Sequence, residues 1–318
     1  MKRFIIMQES GVLILTLLFI IVVSLRNRVF LAPANIFDVL RASGFTLITT
    51  VGMTMVLIAG GLDLSVGSVV GLGGIVCAMA LKAGSPLIVA ISLGIAAGAF
   101  VGMINAFVIV RMGISSLMVT LGTQYIARGL CVGMTKGVPI YPLPQVFQNL
   151  EQKNWFFRLP NIVIISGLLA LTAFVVMKYT TFGRNVYAVG GNKEAARISG
   201  VNVSRVTFSV YVLTGALAGL TGVLMSARLA SGQPNAGTGY ELTVIAAAVI
   251  GGTSAFGGVG SIPGSALGAV FMQIMGNSLT LMRIDVYWQN VAIGVILLLA
   301  VMIDQYRRTT LMRSIAGG

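Results

Sequence analysis

Apolar residues run along this chain in long blocks separated by short polar punctuation, and the block lengths set the first expectation. An α-helix rises 1.5 Å per residue, so about 20 apolar residues cross the ~30 Å hydrocarbon core of a bilayer. Ten blocks approach that length or form part of it: 10–25, 42–59, 66–81, 86–110, 114–134, 160–177, 206–229, 241–250, 262–282 and 287–303. The pattern predicts an all-α polytopic membrane protein of about ten transmembrane helices, organised as one domain over 1–318. Glycine-rich breaks interrupt it near 60–68 and 251–261. Eight or nine full spans with re-entrant pieces at these breaks is the competing topology. Between the blocks lie expected loops: 26–41 with Pro33, Asn35 and Asp38; 136–159 with Pro139, Pro142, Pro144 and Trp155; and 230–240 with Pro234. The first block reads as a retained helix, because no small-residue cleavage site follows it.

Composition agrees with the pattern. Of 318 residues, 57% are hydrophobic and 9% charged, and the mean hydropathy is +0.96. A soluble domain carries about 25% charged residues, so lipid is the solvent here. Histidine is absent, which removes imidazole acid–base chemistry and histidine metal ligation. The formal net charge of +13 is not arranged as a basic aromatic face, so it points to an anionic membrane leaflet and not to nucleic acid. Ten spans divide the 21 lysines and arginines almost evenly between the two faces. The densest cluster decides instead: Lys178, Arg184, Lys193, Arg197 and Arg205 share a face with both basic termini. By the positive-inside rule that face is cytoplasmic. Cys77 and Cys131 fall inside apolar runs and read as small packing residues.

The two breaks resemble each other. Ile58-Ala59-Gly60-Gly61 precedes Val66-Gly67-Ser68, and Val249-Ile250-Gly251-Gly252 precedes Val259-Gly260-Ser261. Transporters are often built from such repeats, and ten spans would place both breaks at one face. Asp63 in the first break is costly in lipid. It either contacts a polar solute or, with Ser65, organises the start of the following helix. Asn105 and Gln124, with Thr120 and Asn277, are further polar groups within or near spans. Asp63, Ser65, Asn105 and Gln124 are the candidates for a translocation path. Arg128 reads as a side chain snorkelling toward the interface. Gly94, Gly98 and Gly102 are four apart, as are Gly260, Gly264 and Gly268, and form two small-residue ridges for close helix packing.

One long polar stretch interrupts the second half, 178–205. Inside it, Asn192 suits a helix N-cap, Glu194 the first turn, and Gly200 a left-handed terminator. The short helix Glu194-Ala195-Ala196 to Gly200 either lies on lipid or docks on a partner. No Walker A pattern occurs, and Thr135-Lys136-Gly137 has the wrong order. No paired carboxylates or nucleophile motif appears, so no catalytic residue and no metal site is expected.

Glu194-Ala195-Ala196-x3-Gly200 resembles the EAA motif of ABC importer permeases. More narrowly, Gly61-Leu62-Asp63-Leu64-Ser65-Val66-Gly67-Ser68 resembles a signature of the ribose-type (monosaccharide) permease subunits of the binding-protein-dependent transport inner membrane family. Gly183 to Asn192, and Val249 to Thr253 with Gly257 to Gly260, are similar to two further segments of that family. The chain departs at Val212-Leu213, where the wider EAA motif has Leu-Pro. The resemblance implies a permease in the bacterial inner membrane with both termini cytoplasmic. It would pair with a second copy or a homologue. Glu194, Ala195, Ala196 and Gly200 would couple it to ATPase subunits that bind ATP and Mg, with no cofactor in this chain itself. A periplasmic or lipoprotein binding protein would deliver a simple sugar. A free-standing carrier or channel, or a permease for amino acids or nucleosides, are the alternatives.

Overall fold

Each of the ten apolar blocks contains a helix in the computed structural model, which describes residues 2–152 and 159–316. Trp155 lies outside the described residues, as do the side chains of Lys2, Arg3, Arg307, Arg308 and Arg313. The fold is all-α; an isolated bridge joins Ile140 to Gly232. In chain order the helices are α1 (Lys2–Arg26), α2 (Pro33–Ile58), α3 (Val66–Lys82), α4 (Leu87–Met112), α5 (Ser116–Thr135), α6 (Gln145–Gln152), α7 (Asn161–Tyr179), α8 (Thr181–Gly191), α9 (Lys193–Ile198), α10 (Val203–Leu229), α11 (Tyr240–Ile250), α12 (Ile262–Leu281) and α13 (Val286–Ala316). Among the described residues five are long and apolar enough to cross a membrane by length and composition: α2, α4, α7, α10 and Tyr287–Tyr306 of α13.

Two expected loops are partly helix. α2 starts at Pro33, not near residue 42, because proline at the first helical position needs no N–H partner and already has the right φ. Within 136–159, α6 buries Phe147 and Glu151 beneath an otherwise polar face. Glu151 faces Arg41 of α2 at 4.0 Å and Arg228 of α10 at 3.8 Å, and Asp38 meets the same two arginines at 3.7 Å each. Burial pushes the Glu151 carboxyl above its ordinary value, and Arg228 and Arg41 pull it part of the way back.

The centre of the bundle is α10 against α4, α3 and α2. Glycine makes the α4–α10 approach possible. A Cβ at Gly98 would run into the Gly215 carbonyl, and one at Gly102 into the Tyr211 carbonyl. Gly94 faces Val223 of α10 and Gly73 of α3. Gly264 and Gly268 play the same part for α12, against Gly251 and Ala247. Gly260 does not belong to that ridge: α12 begins at Ile262, and Gly260 lies in the second break beside Thr253 and Ile58.

The region 230–240 departs furthest from expectation. It is not a loop outside the bundle. Gly232 packs on Ala78, and Gly237 on Gly67 and Val70, so this segment travels along α3 from residue 78 back to residue 67. Eleven helical residues measure about 16 Å. α11 then continues for 11 residues, a further ~16 Å. Together the two halves make one crossing, half irregular backbone and half helix.

Candidate functional site

Irregular backbone at membrane depth survives only where protein satisfies its polar groups. The clearest example surrounds Arg128 in the middle of α5. Its guanidinium donates to the carbonyls of Pro234 (2.7 Å) and Ala236 (2.9 Å), with a longer contact to the Gly67 carbonyl (3.4 Å). Arg128 therefore points inward and clamps the irregular half of the α11 crossing; it does not snorkel to the interface. One turn earlier, Gln124 Nε2 donates to Glu241 Oε1 at 2.9 Å, fixing the first turn of α11. Glu241 is buried beside Gly67 at the start of α3.

The first break is held by the same helix. Ser116 Oγ accepts from the Leu62 amide (3.2 Å) and Thr120 Oγ1 from the Leu64 amide (3.1 Å). Tyr211 of α10 donates to the Leu62 carbonyl at 3.1 Å. Asp63 Oδ1 accepts from the Ser65 amide (2.9 Å) and from Ser65 Oγ (2.6 Å). Asn105 Nδ2 donates to Ser65 Oγ (3.0 Å), and Thr123 Oγ1 to Asn105 Oδ1 (2.7 Å). Asp63, Ser65 and Asn105, three of the four path candidates, thus form one relay from the break through α4 to α5, with 1%, 1% and 0% of their surface exposed. Gln124, the fourth, belongs to the Glu241 pair. The Asp63 carboxylate shapes the chain ahead of α3, while Ser65, at the N-cap position, makes no side-chain cap bond. A helical polar stripe on α5 announces this in the sequence: Ser116, Thr120, Thr123, Gln124 and Arg128 share one face. Which partner each would meet, 18 to 117 residues away, has no local signal.

Both breaks end at one junction. The Gly258 amide donates to the Ile58 carbonyl at 2.8 Å. Gly257 packs against Gly60 and Gly190, and Gly190 sits so close to Ile58 that a Cβ there would overlap its carbonyl. Tyr187 of α8 donates to the Gly260 carbonyl at 2.8 Å. Asp304 of α13 accepts from Ser254 Oγ (2.9 Å) and the Ala255 amide (3.1 Å). The last turn of α8 is therefore wedged between the two breaks, and α9 follows it directly.

α9 is short but closed at both ends. Asn192 Oδ1 accepts from the Ala195 amide at 3.0 Å, and Glu194 stands in the first turn. Gly200 has φ +83°, a conformation that carries a steric cost for any side chain, and the Val201 amide returns to the Ala196 carbonyl. Ala196 packs inward with Val186, Val189, Val206 and Val210. Ile198 faces the other way and is 86% exposed.

A bundle with two joined breaks and a small capped helix hung from them has close relatives. The profile of the family described as the branched-chain amino acid transport system / permease component matches residues 35–301. The chain belongs to this permease family. The permease is 36% identical over 307 residues to the ribose import permease protein RbsC of Escherichia coli (strain K12), covering 95% of each chain. It is 36% identical over 304 residues to the L-arabinose ABC transporter permease protein AraH of Azospirillum brasilense, covering 95% of this chain and 88% of that one. To the xylose transport system permease protein XylH of Escherichia coli (strain K12) it is 32% identical over 336 residues, 86% of each. No solved structure matches the permease.

Proposed function

We propose that the permease is the membrane subunit of an ATP-driven importer for a monosaccharide, ribose or a related sugar. One observation carries the coupling: the α8–α9 segment is wedged into the contact between the two breaks, so a push on α9 reaches both breaks at once. The sugar rests on what RbsC, AraH and XylH are named for.

In this reading the α9 end, with both termini and the loop 178–205, is cytoplasmic. Glu194, Ala195, Ala196 and Gly200 form the coupling helix, and exposed Ile198 is its apolar contact with an ATPase subunit, which binds the ATP and Mg. A second copy or a homologue packs against the exposed α5 face, where Gly122, Gly129 and Gly133 have open space around them. The path would lie along α5, bordered by the relay of Asp63, Ser65 and Asn105 and by Gln124. A sugar-binding protein lands on the opposite end, where α6 and the Arg41–Glu151–Arg228 cluster sit. Segment 230–240 contributes little to that landing, since it descends into the bundle.

The assembled importer, tagged on this chain, is expected to co-purify an ATPase and a sugar-binding protein. In proteoliposomes it should accumulate ribose, arabinose or xylose only with ATP. Ile198→Asp is expected to strip off the ATPase. Glu194→Ala and Gly200→Pro should leave hydrolysis running while uptake falls about tenfold, the scale of a 1–2 kcal/mol coupling. Uptake by a lone chain without ATP would sink the reading, and normal uptake by all three variants would remove α9 from it.

A further inference from the structure

Two arginines at the α9 end have no ion-pair partner among the described residues. Arg111 lies in the last turn of α4 and Arg205 in the first turn of α10, and with Ser204 and Ser209 they line a groove of about 390 Å³. The ion pairs of the described residues all belong to Asp38, Arg41, Glu151 and Arg228, near the other end of α2 and α10. The rest of the groove is apolar: Phe107, Val110 and Phe208.

The order of these residues is informative. On α4, Phe107 lies one turn closer to the bundle centre than Arg111. On α10, Phe208 lies about one turn deeper than Arg205. One helical turn is about 5.4 Å. Both helices therefore present a cation at their tips, with the Ser204 hydroxyl beside it on α10, and aromatic surface just below, and Phe107 is 53% exposed there. We propose that this groove binds an anionic phospholipid, its phosphate between Arg111 and Arg205 and its acyl chain along Phe107, Val110 and Phe208. Basic pockets between membrane helices suit such headgroups, and each arginine near the membrane surface strengthens the attraction. A soluble anion or an acidic side chain would neutralise the arginines but leave the aromatic wall uncovered. The lipid would also steady the coupling segment: Asn202 Oδ1 accepts from the Arg205 amide at 2.9 Å, and only residues 199–202 separate α10 from α9.

The test needs this chain alone, so it stands apart from the transport reading. The purified full-length chain is given equal amounts of phosphatidylglycerol and phosphatidylethanolamine in mixed micelles, and retained lipid is read by native mass spectrometry. Wild type should prefer phosphatidylglycerol. Arg111→Gln and Arg205→Gln should each lower its retention about fivefold, and the pair roughly 25-fold. The double lysine variant should keep most of it, which separates loss of charge from misfolding. Equal retention of the two lipids by wild type, equal phosphatidylglycerol retention by wild type and the double Gln variant, or displacement by millimolar inorganic phosphate would each overturn the proposal.

Discussion

Replacing Arg128 by methionine is expected to destabilise the folded permease by about 3 kcal/mol and to abolish uptake. The residue sits in α5 with its guanidinium against three carbonyls, two of them at 2.7 and 2.9 Å. A hydrogen bond to a charged group contributes about 1.5–3 kcal/mol in water-soluble proteins. Polar contacts between membrane helices measure lower, because the unfolded chain in lipid also finds partners. Two good bonds at the low end of the first range give the figure. Methionine keeps most of the bulk and supplies no donor, so the Pro234 and Ala236 carbonyls would lose their charged partner. Arg128→Lys should recover part of the loss, since one ammonium can meet two carbonyls. Heating the purified variants in detergent and following the fraction that stays monodisperse measures this. A methionine variant as heat-resistant as wild type would show that the segment holds itself.

Gly190→Val is expected to leave insertion intact and lower uptake at least about tenfold, while Gly191→Ala next door should be nearly silent. At Gly190 any Cβ overlaps the Ile58 carbonyl and crowds the Gly258 amide; at Gly191 nothing lies within 4 Å. Overpacking a tight site costs about 1–3 kcal/mol. Here the cheapest relief is for α8 to withdraw from the two breaks, taking α9 with it. The loss should therefore appear in transport and in the match between ATP hydrolysis and sugar movement, more than in the amount of protein in the membrane. Counting the protein in membranes and assaying uptake on the same cells separates the two effects. Equal uptake by both variants would dissociate the junction from transport.

These expectations divide along what a sequence can carry. Block length and glycine spacing are local, so the ten helices and the Gly94–Gly98–Gly102 ridge were readable, as was the small helix between Asn192 and Gly200. The Asp63–Ser65 turn was readable too, because both partners lie within three residues. The start of α2 is masked in the sequence because polar Asn35 and Asp38 suit a loop, and Pro33 suits either a loop or the opening of a helix. The descent of 231–239 was invisible: its glycines and Pro234 describe a loop equally well in water or beside α3. Arg128 reads in the sequence as a snorkelling side chain and not as a clamp, since the carbonyls it satisfies lie more than 100 residues along the chain. Length alone limits α11, whose 11 residues reach about half of a bilayer.

That half-irregular crossing bears on how the protein is made. A segment in which the Pro234 and Ala236 carbonyls depend on a side chain of another helix is poorly suited to enter lipid on its own credentials, because those carbonyls would be left without a partner. α5, which supplies the Arg128 donors, and α3, on which the segment packs, come earlier in the chain and have already been synthesised when residues 231–250 leave the ribosome. The linear order of the sequence therefore works as an assembly schedule. A circularly permuted chain that began at α10 would present the segment before its clamp existed, and should be degraded even though every contact of the finished fold is still encoded.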